Sequence, residues 1–68
     1  MTVQTQLQQA IASAQSVEAS LTQFSLETEN QMAKQLYSQL AQQQRGIVVQ
    51  LEGRYQLILQ QEPQFNQN

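Results

Sequence analysis

The fold depends on residues 36–59, LYSQLAQQQRGIVVQLEGRYQLIL, where two glycines are the natural places to divide a helix. Glycine in a helix interior costs about 1 kcal/mol relative to alanine, so Gly46 is the obvious break point. At about 100° per residue, however, the apolar residues before Gly46 fall on the same arc as those after it. The sequence therefore predicts one long helix over residues 30–62, ended by Pro63. Its apolar positions include Leu36, Tyr37, Leu40, Ile47, Leu51, Tyr55 and Ile58.

The two glycines, Gly46 and Gly53, lie seven residues apart and share one side of this helix, away from the apolar stripe. Two interpretations are open for them. They are tolerated on a side that faces solvent, or they form a groove in which another helix approaches closely. The first interpretation is favoured.

The N-terminal part of the chain shows the same helical spacing. Apolar residues recur at steps of three and four from Val3 to Phe24, which predicts a first helix over residues 3–25. Thr2 or Thr5 serves as its N-cap, because a threonine hydroxyl accepts a hydrogen bond from a free backbone N–H group of the first turn. The large apolar residues of this helix include Leu7, Ile11, Val17, Leu21 and Phe24.

The helical spacing lapses between Ser25 and Asn30, and Thr28 followed by Gln31 has the pattern of a capping box for the second helix. So short a connection returns the chain alongside the first helix, and the predicted fold is an all-α antiparallel hairpin, a single domain over residues 1–68. The residues predicted to lie level with one another are Val17 with Leu40, Ala14 with Gln43 and Gln44, and Ala10 with Gly46.

The apolar residues of the second helix cover about 120° of its circumference, which is more than one neighbouring helix covers. A hairpin of this size also buries too little apolar surface to offset the entropy of ordering about sixty residues. We therefore expect two copies to form a four-helix bundle, since two-fold dimers are the commonest oligomers. A higher oligomer, a different partner protein and adsorption to a membrane surface are alternatives. The few scattered cations, Lys34, Arg45 and Arg54, do not favour the membrane surface.

The composition excludes several classes of function. Among the 68 residues are 18 glutamines and no cysteine, histidine or tryptophan, which excludes disulfides and thiolate or imidazole metal sites and leaves the serines without a histidine to activate them. A net charge of -2 opposes nucleic-acid binding. No apolar run approaches the roughly 18 residues of a membrane span, and the N-terminus lacks a signal-peptide pattern. We expect an intracellular protein that is not an enzyme and has no cofactor.

Glu18 is the acidic residue that lies on the apolar side of the first helix. Some four-helix bundles hold two iron or manganese ions between glutamates and Glu-x-x-His motifs, and a dimer would bring two copies of Glu18 together. Because the chain has no histidine, the favoured interpretation is structural, with Glu18 hydrogen-bonded to a glutamine, tyrosine or lysine. No catalytic, cofactor-binding or metal-binding residue is predicted.

Several short segments carry a family resemblance: Met1–Val3 with Thr5, Gln35–Tyr37, Leu51–Arg54 and Gln61–Phe65. Together they resemble a small uncharacterised family, a domain of unknown function from endospore-forming bacteria, whose members have about this length. Its genes often lie beside those of the stage V sporulation protein A group, whose products form a membrane channel for dipicolinic acid. The resemblance implies a structural or interaction role in sporulation or spore resistance, in the forespore or spore, with a membrane-bound sporulation protein as a partner.

Two further likenesses imply alternative functions. The segment Phe24–Thr28 resembles the germination-protease site of the glutamine-rich small acid-soluble spore proteins, which implies a storage or coat component. The helix pair is similar to half of the ferritin-like domains of some spore coat proteins, which implies a vestigial metal-binding bundle. Both alternatives stay open. The structural module is favoured because the chain has two clear helical stripes, whereas the storage proteins are largely unstructured alone.

Overall fold

The structure is a computed structural model that describes residues 2–61 as two antiparallel helices with a short connection. Helix α1 spans Val3–Glu27 and helix α2 spans Gln31–Gln61. The predicted all-α helical hairpin is confirmed. Helix α1 runs two residues beyond its predicted end, α2 begins one residue later than predicted, and the predicted end of α2 at residue 62 lies outside the described residues.

Thr2 is the N-cap of α1. Its backbone is extended, with φ of -83° and ψ of 162°, and its side-chain oxygen accepts a hydrogen bond of 3.1 Å from the backbone N–H of Thr5. The carbonyl of Thr2 accepts the first helical bond, from the N–H of Gln6 at 3.0 Å. Of the two predicted caps, Thr2 therefore performs the role, and Thr5 lies in the first turn.

The connection between the helices corrects the predicted capping box. Thr28 ends α1, because its N–H donates to the carbonyl of Phe24 at 3.0 Å, and its hydroxyl oxygen accepts from the N–H of Asn30 at 3.2 Å. Asn30 caps α2, since its side-chain oxygen accepts from the N–H of Ala33 at 3.0 Å. The predicted pairing of Thr28 with Gln31 as the start of α2 is wrong, because α1 continues far enough to use Thr28 as its own end.

Helix α2 continues without a break through both glycines, as the phase of its apolar residues predicts. A Cβ atom built on Gly46 or Gly53 would meet no atom within 4 Å, so both glycines face open space. Gly46 therefore does not pack against Ala10, in keeping with the interpretation that the glycines are tolerated on a side that faces solvent. The predicted level of Ala14 is confirmed for Gln44, whose side-chain amide donates to the carbonyl of Ala14 at 3.1 Å.

The core of the hairpin is a single narrow line of contact between the helices. Within residues 2–61, the buried residues are Ala14 and Ser25 of α1 and Val48 of α2. Val48 is 1% exposed, and the aromatic rings of Phe24 and Tyr37 meet near the connection with centroids 5.7 Å apart. Since two helices side by side touch along one stripe only, most apolar side chains of this chain remain partly open to solvent.

The open space at both glycines leads to a prediction about stability. We expect Gly46→Ala and Gly53→Ala each to raise the free energy of unfolding by about 0.5–1 kcal/mol, because alanine loses less backbone entropy on helix formation and meets no neighbour here. Urea denaturation followed by circular dichroism measures the change. A loss of stability in either variant would instead indicate that a second helix packs closely on the glycines.

Candidate helix-assembly interface

Polar side chains fix how the two helices sit against each other. At the connection, the ammonium group of Lys34 donates to the carbonyl of Ser25 at 2.8 Å, so the second helix is anchored to the end of the first. Each further contact ties a different level of the hairpin, and together they determine which side of each helix faces its neighbour. These contacts join Gln44 to the Ala14 carbonyl, Gln8 to the Tyr55 hydroxyl at 2.7 Å, and Arg45 to Glu18 at 3.7 Å.

One side of the hairpin is polar. The ion pair between Glu18 and Arg45 lies on it, with the Glu18 side chain 23% exposed and that of Arg45 69% exposed. The shallow grooves beside this pair are lined by polar residues that include Thr22, Ser38 and Gln42, together with Ala41 and Leu26. We call this side the polar face.

The opposite side of the hairpin is apolar. Val17 precedes Glu18 by one residue, so it projects about 100° away from Glu18 around α1. Ile47 follows Arg45 by two residues, so it projects about 160° away from Arg45 around α2. Because antiparallel neighbours turn in opposite senses, both side chains end on the side of the hairpin opposite the ion pair. We call this side the apolar face, and its exposed members are Val3, Val17 and Phe24 of α1 and Leu36 and Ile47 of α2.

The five side chains of the apolar face are 45 to 54% exposed. Four of them are among the predicted interface residues, namely Val17, Phe24, Leu36 and Ile47. The other predicted interface residues are half-buried along the edges of the helix contact, and they are Leu7, Ile11, Leu21, Tyr37, Leu40, Leu51, Tyr55 and Ile58. Whether the exposed group is an interface stays a prediction. Exposed apolar residues elsewhere on the chain are Leu26, Met32, Val49 and Leu57.

None of the three buried residues, Ala14, Ser25 and Val48, is among the predicted interface residues, although Ala14 and Val48 lie on the apolar stripes of the sequence. Val48 is the most buried side chain of α2, although the sequence indicates Leu36, Leu40 and Ile47 as the centre of the stripe. Ser25 is 9% exposed, and its hydroxyl donates to the carbonyl of Thr22 at 2.7 Å. The sequence does indicate that Val48 is buried, since Val48 lies on the same side of α2 as Tyr37 and Tyr55. The polar residue Gln44 lies on that side as well and weakens the indication.

The partner of Glu18 differs from the predicted one. A glutamine, tyrosine or lysine was expected, and the structure pairs Glu18 with Arg45 instead. Arg45 lies away from the apolar stripe of α2, but its long side chain reaches Glu18 across the polar face. Among residues 2–61, no three acidic side chains come together as a metal-binding group. Neither described helix is long and apolar enough to cross a membrane.

Comparison with known proteins adds one finding. The model of a family described as "protein of unknown function (DUF1657)" matches residues 7–54, from the first turns of α1 to the third quarter of α2. The matched region includes the connection and four of the five exposed members of the apolar face. No curated protein and no solved structure has a significant match to this chain.

The exposure of the ion pair leads to a prediction about Glu18. We expect Glu18→Gln to change the free energy of unfolding by less than about 0.5 kcal/mol, because an exposed ion pair of this kind gains little over hydration. Arg45→Gln is the matched variant and should behave alike. Chelators and added divalent metals should leave the denaturation midpoint of the native chain unmoved. A midpoint that rises with a metal and no longer does so in Glu18→Gln would contradict the structural role.

Proposed function

The chain belongs to the DUF1657 family of proteins of unknown function, and we propose that it is a non-enzymatic structural or interaction module that acts through helix–helix assembly. The proposal includes a role in sporulation or spore resistance. Its surface for assembly is the apolar face, which another helical surface covers in the working state.

The observation that carries the proposal is the concentration of half-exposed large apolar side chains on one face. Val17, Phe24, Leu36 and Ile47 lie on the apolar face, while the opposite face carries an ion pair and hydroxyl groups, with Leu26 as its large exposed apolar residue. Scattered apolar residues are normal on a monomer, whereas a continuous apolar patch marks an interaction site. Covering such a patch stabilises the assembly by about 25 cal/mol for each Å² of apolar surface removed from water.

The small core supports the same proposal. Ala14, Ser25 and Val48 are the residues buried within the described range, and one of the three is polar. Burying one valine and one alanine offsets only a small part of the entropy lost when two helices become ordered. Long helices are stable mainly because an apolar side packs on something. A second helical surface on the apolar face would supply that packing for both helices.

A structural role also agrees with the polar groups of the chain. Glu18 is engaged by Arg45, and the carboxylates of Glu27 and Glu52 lie toward opposite ends of the hairpin. Gln23 donates to Glu27 at 3.0 Å within the same helix, which is a surface contact of ordinary kind. The polar groups therefore solvate the surface and set the helix orientation, and the apolar face is the surface that differs most from a typical monomer.

The sporulation role is supported by the resemblance of the sequence to proteins of endospore-forming bacteria. The storage alternative gains nothing from the fold, because residues 24–27 of the segment belong to α1, where the backbone is hydrogen-bonded. Hydrogen-bonded helical backbone resists proteolysis. We therefore favour the structural role over storage.

Two substitutions test the assembly face with a matched pair of sites. Ile47 lies on the apolar face at 47% exposure, and Val49 lies elsewhere on the same helix at 55% exposure. In a lone hairpin, a glutamate at either site would lower the free energy of unfolding by about the same amount. If the face is covered, Ile47→Glu should lower the free energy of unfolding by about 2–4 kcal/mol by burying a charge, while Val49→Glu should change it by less than about 0.5 kcal/mol.

The measurement is urea denaturation at several protein concentrations, with circular dichroism as the readout. The native chain and Val49→Glu should become more stable as the concentration rises, since assembly links folding to association. Equal losses in the two variants, or stability independent of concentration in the native chain, would contradict assembly through this face.

A genetic experiment tests the sporulation role and the face together. We expect deletion of the gene in its host to reduce the number of spores that survive wet heat, and a copy encoding Val49→Glu to restore it. A copy encoding Ile47→Glu should not, because the charged side chain lies on the face where a partner would dock. Unchanged survival in the deletion strain, with normal spore numbers, would argue against the proposed role.

A further inference from the structure

We propose that the occupant of the apolar face is a second copy of this chain, docked face to face with the connections of the two hairpins at opposite ends. The two-fold axis crosses the hairpin at the level of Ala14 and Ile47. This inference rests on the proposed assembly function and specifies its partner and geometry.

The size of the face fits a second copy. The hairpin measures 50 Å by 17 Å along its two longer axes, so a face of it offers roughly 850 Å². Stable protein interfaces of standard size bury about 800 Å² on each partner. Another hairpin of the same length and width would therefore cover the whole apolar face, whereas a single peptide helix, about 10 Å wide, would leave one side of it open.

The charge of the face also favours a copy of the same chain. Arg54 lies eighteen residues after Leu36, which is five helical turns, so it projects to the same face. Glu27 lies near the same face at the connection end, where it lines one groove with Phe24 and Tyr37. A face with one cation and one anion has no net charge and attracts neither a polyanion nor a basic partner strongly, so apolar contact decides the association.

The apolar residues of both helices are centred on one level. In α1 the exposed series from Val3 to Phe24 has its midpoint between Ser13 and Ala14, and in α2 the series from Leu36 to Ile58 has its midpoint at Ile47. The contacts of Gln44 with Ala14 and of Tyr55 with Gln8 place Ile47 within one turn of Ala14 across the hairpin. A two-fold axis through this level makes both helices overlap their own copies over their full apolar length.

This arrangement also pairs the large side chains of α1 with its smaller ones. With the connections at opposite ends, each helix lies over its own copy in reverse, so the bulky end of the α1 series meets its smaller end, while the paired side chains of α2 are of equal size. With the connections together, one level of the four-helix bundle would hold Phe24 and Leu36 of both copies. Another level would hold Ala10 of both copies. Even layers reach the packing density of protein interiors, and uneven ones leave voids. The pairs expected across the axis are Phe24 with Val3, Val17 with Ala10, Leu36 with Ile58 and Ile47 with Ile47.

The position of Arg54 distinguishes the two arrangements as well. With the connections at opposite ends, Arg54 of one copy lies level with Leu40 of the other, and the two Arg54 residues are about 20 Å apart along the bundle. That separation exceeds the screening length of about 8 Å in physiological salt. With the connections together, the two guanidinium groups lie at one level on helices roughly 13 Å apart. Repulsion between like charges therefore disfavours the second arrangement.

Distances between spin labels on the full chain test the geometry. The sequence has no cysteine, so Glu29→Cys at the connection and Gln15→Cys on the polar face of α1 can each be labelled singly. Both native residues are exposed. For label 29, pulsed electron resonance should give about 50 Å between copies with the connections at opposite ends, and less than about 25 Å with the connections together. Label 15 is close to the level of the axis and should give roughly 20–30 Å in either arrangement.

A long distance at position 29 with an intermediate distance at position 15 supports the proposal. A short distance at position 29 with the same value at position 15 overturns the arrangement and leaves assembly through the face intact. Absence of any distance at both positions, in samples that sediment as monomers, overturns the second copy as the occupant. The survival of spores carrying Ile47→Glu or Val49→Glu then decides separately whether the apolar face is used at all.

Discussion

Two helices that pack side by side cover only one stripe of each other, and this constraint governs the whole molecule. The stripe here runs through Ala14 and Val48, and it leaves about half of each large side chain on the apolar face in contact with water. Neither helix breaks to wrap more of this surface, since α2 continues through both glycines. Five of the nine exposed large apolar side chains within the described residues lie on one side, where a further helical layer can cover them.

Glutamine side chains orient the two helices of this small hairpin. Gln8 and Gln44 reach across from one helix to the other, and each ends on an oxygen atom of the neighbouring helix. Such contacts are worth about 1 kcal/mol each and contribute direction more than stability. They turn the polar face outward on one side, with the ion pair of Glu18 and Arg45, and the apolar face outward on the other. The surface proposed for assembly therefore follows from polar contacts as much as from the apolar pattern.

Helical spacing was sufficient to predict the hairpin and the continuity of α2, because the period of the apolar residues is a property of one helix at a time. The rotation of each helix about its axis could not be predicted, because it depends on contacts between helices such as that of Lys34 with the Ser25 carbonyl. For this reason Val48 was missed as the centre of the contact. The start of α2 was missed for a related reason: Thr28 and Asn30 are both good caps, and only the length of α1 decides between them.

The central claim is that a second copy of the chain covers the apolar face when the protein works, as the size and charge of the face favour. Sedimentation equilibrium of the full chain across concentrations from micromolar to millimolar tests this claim most directly. The account predicts a mass that rises from 7.8 kDa toward twice that value and then stays constant. A cooperatively folded chain that remains at 7.8 kDa over the whole range would contradict it.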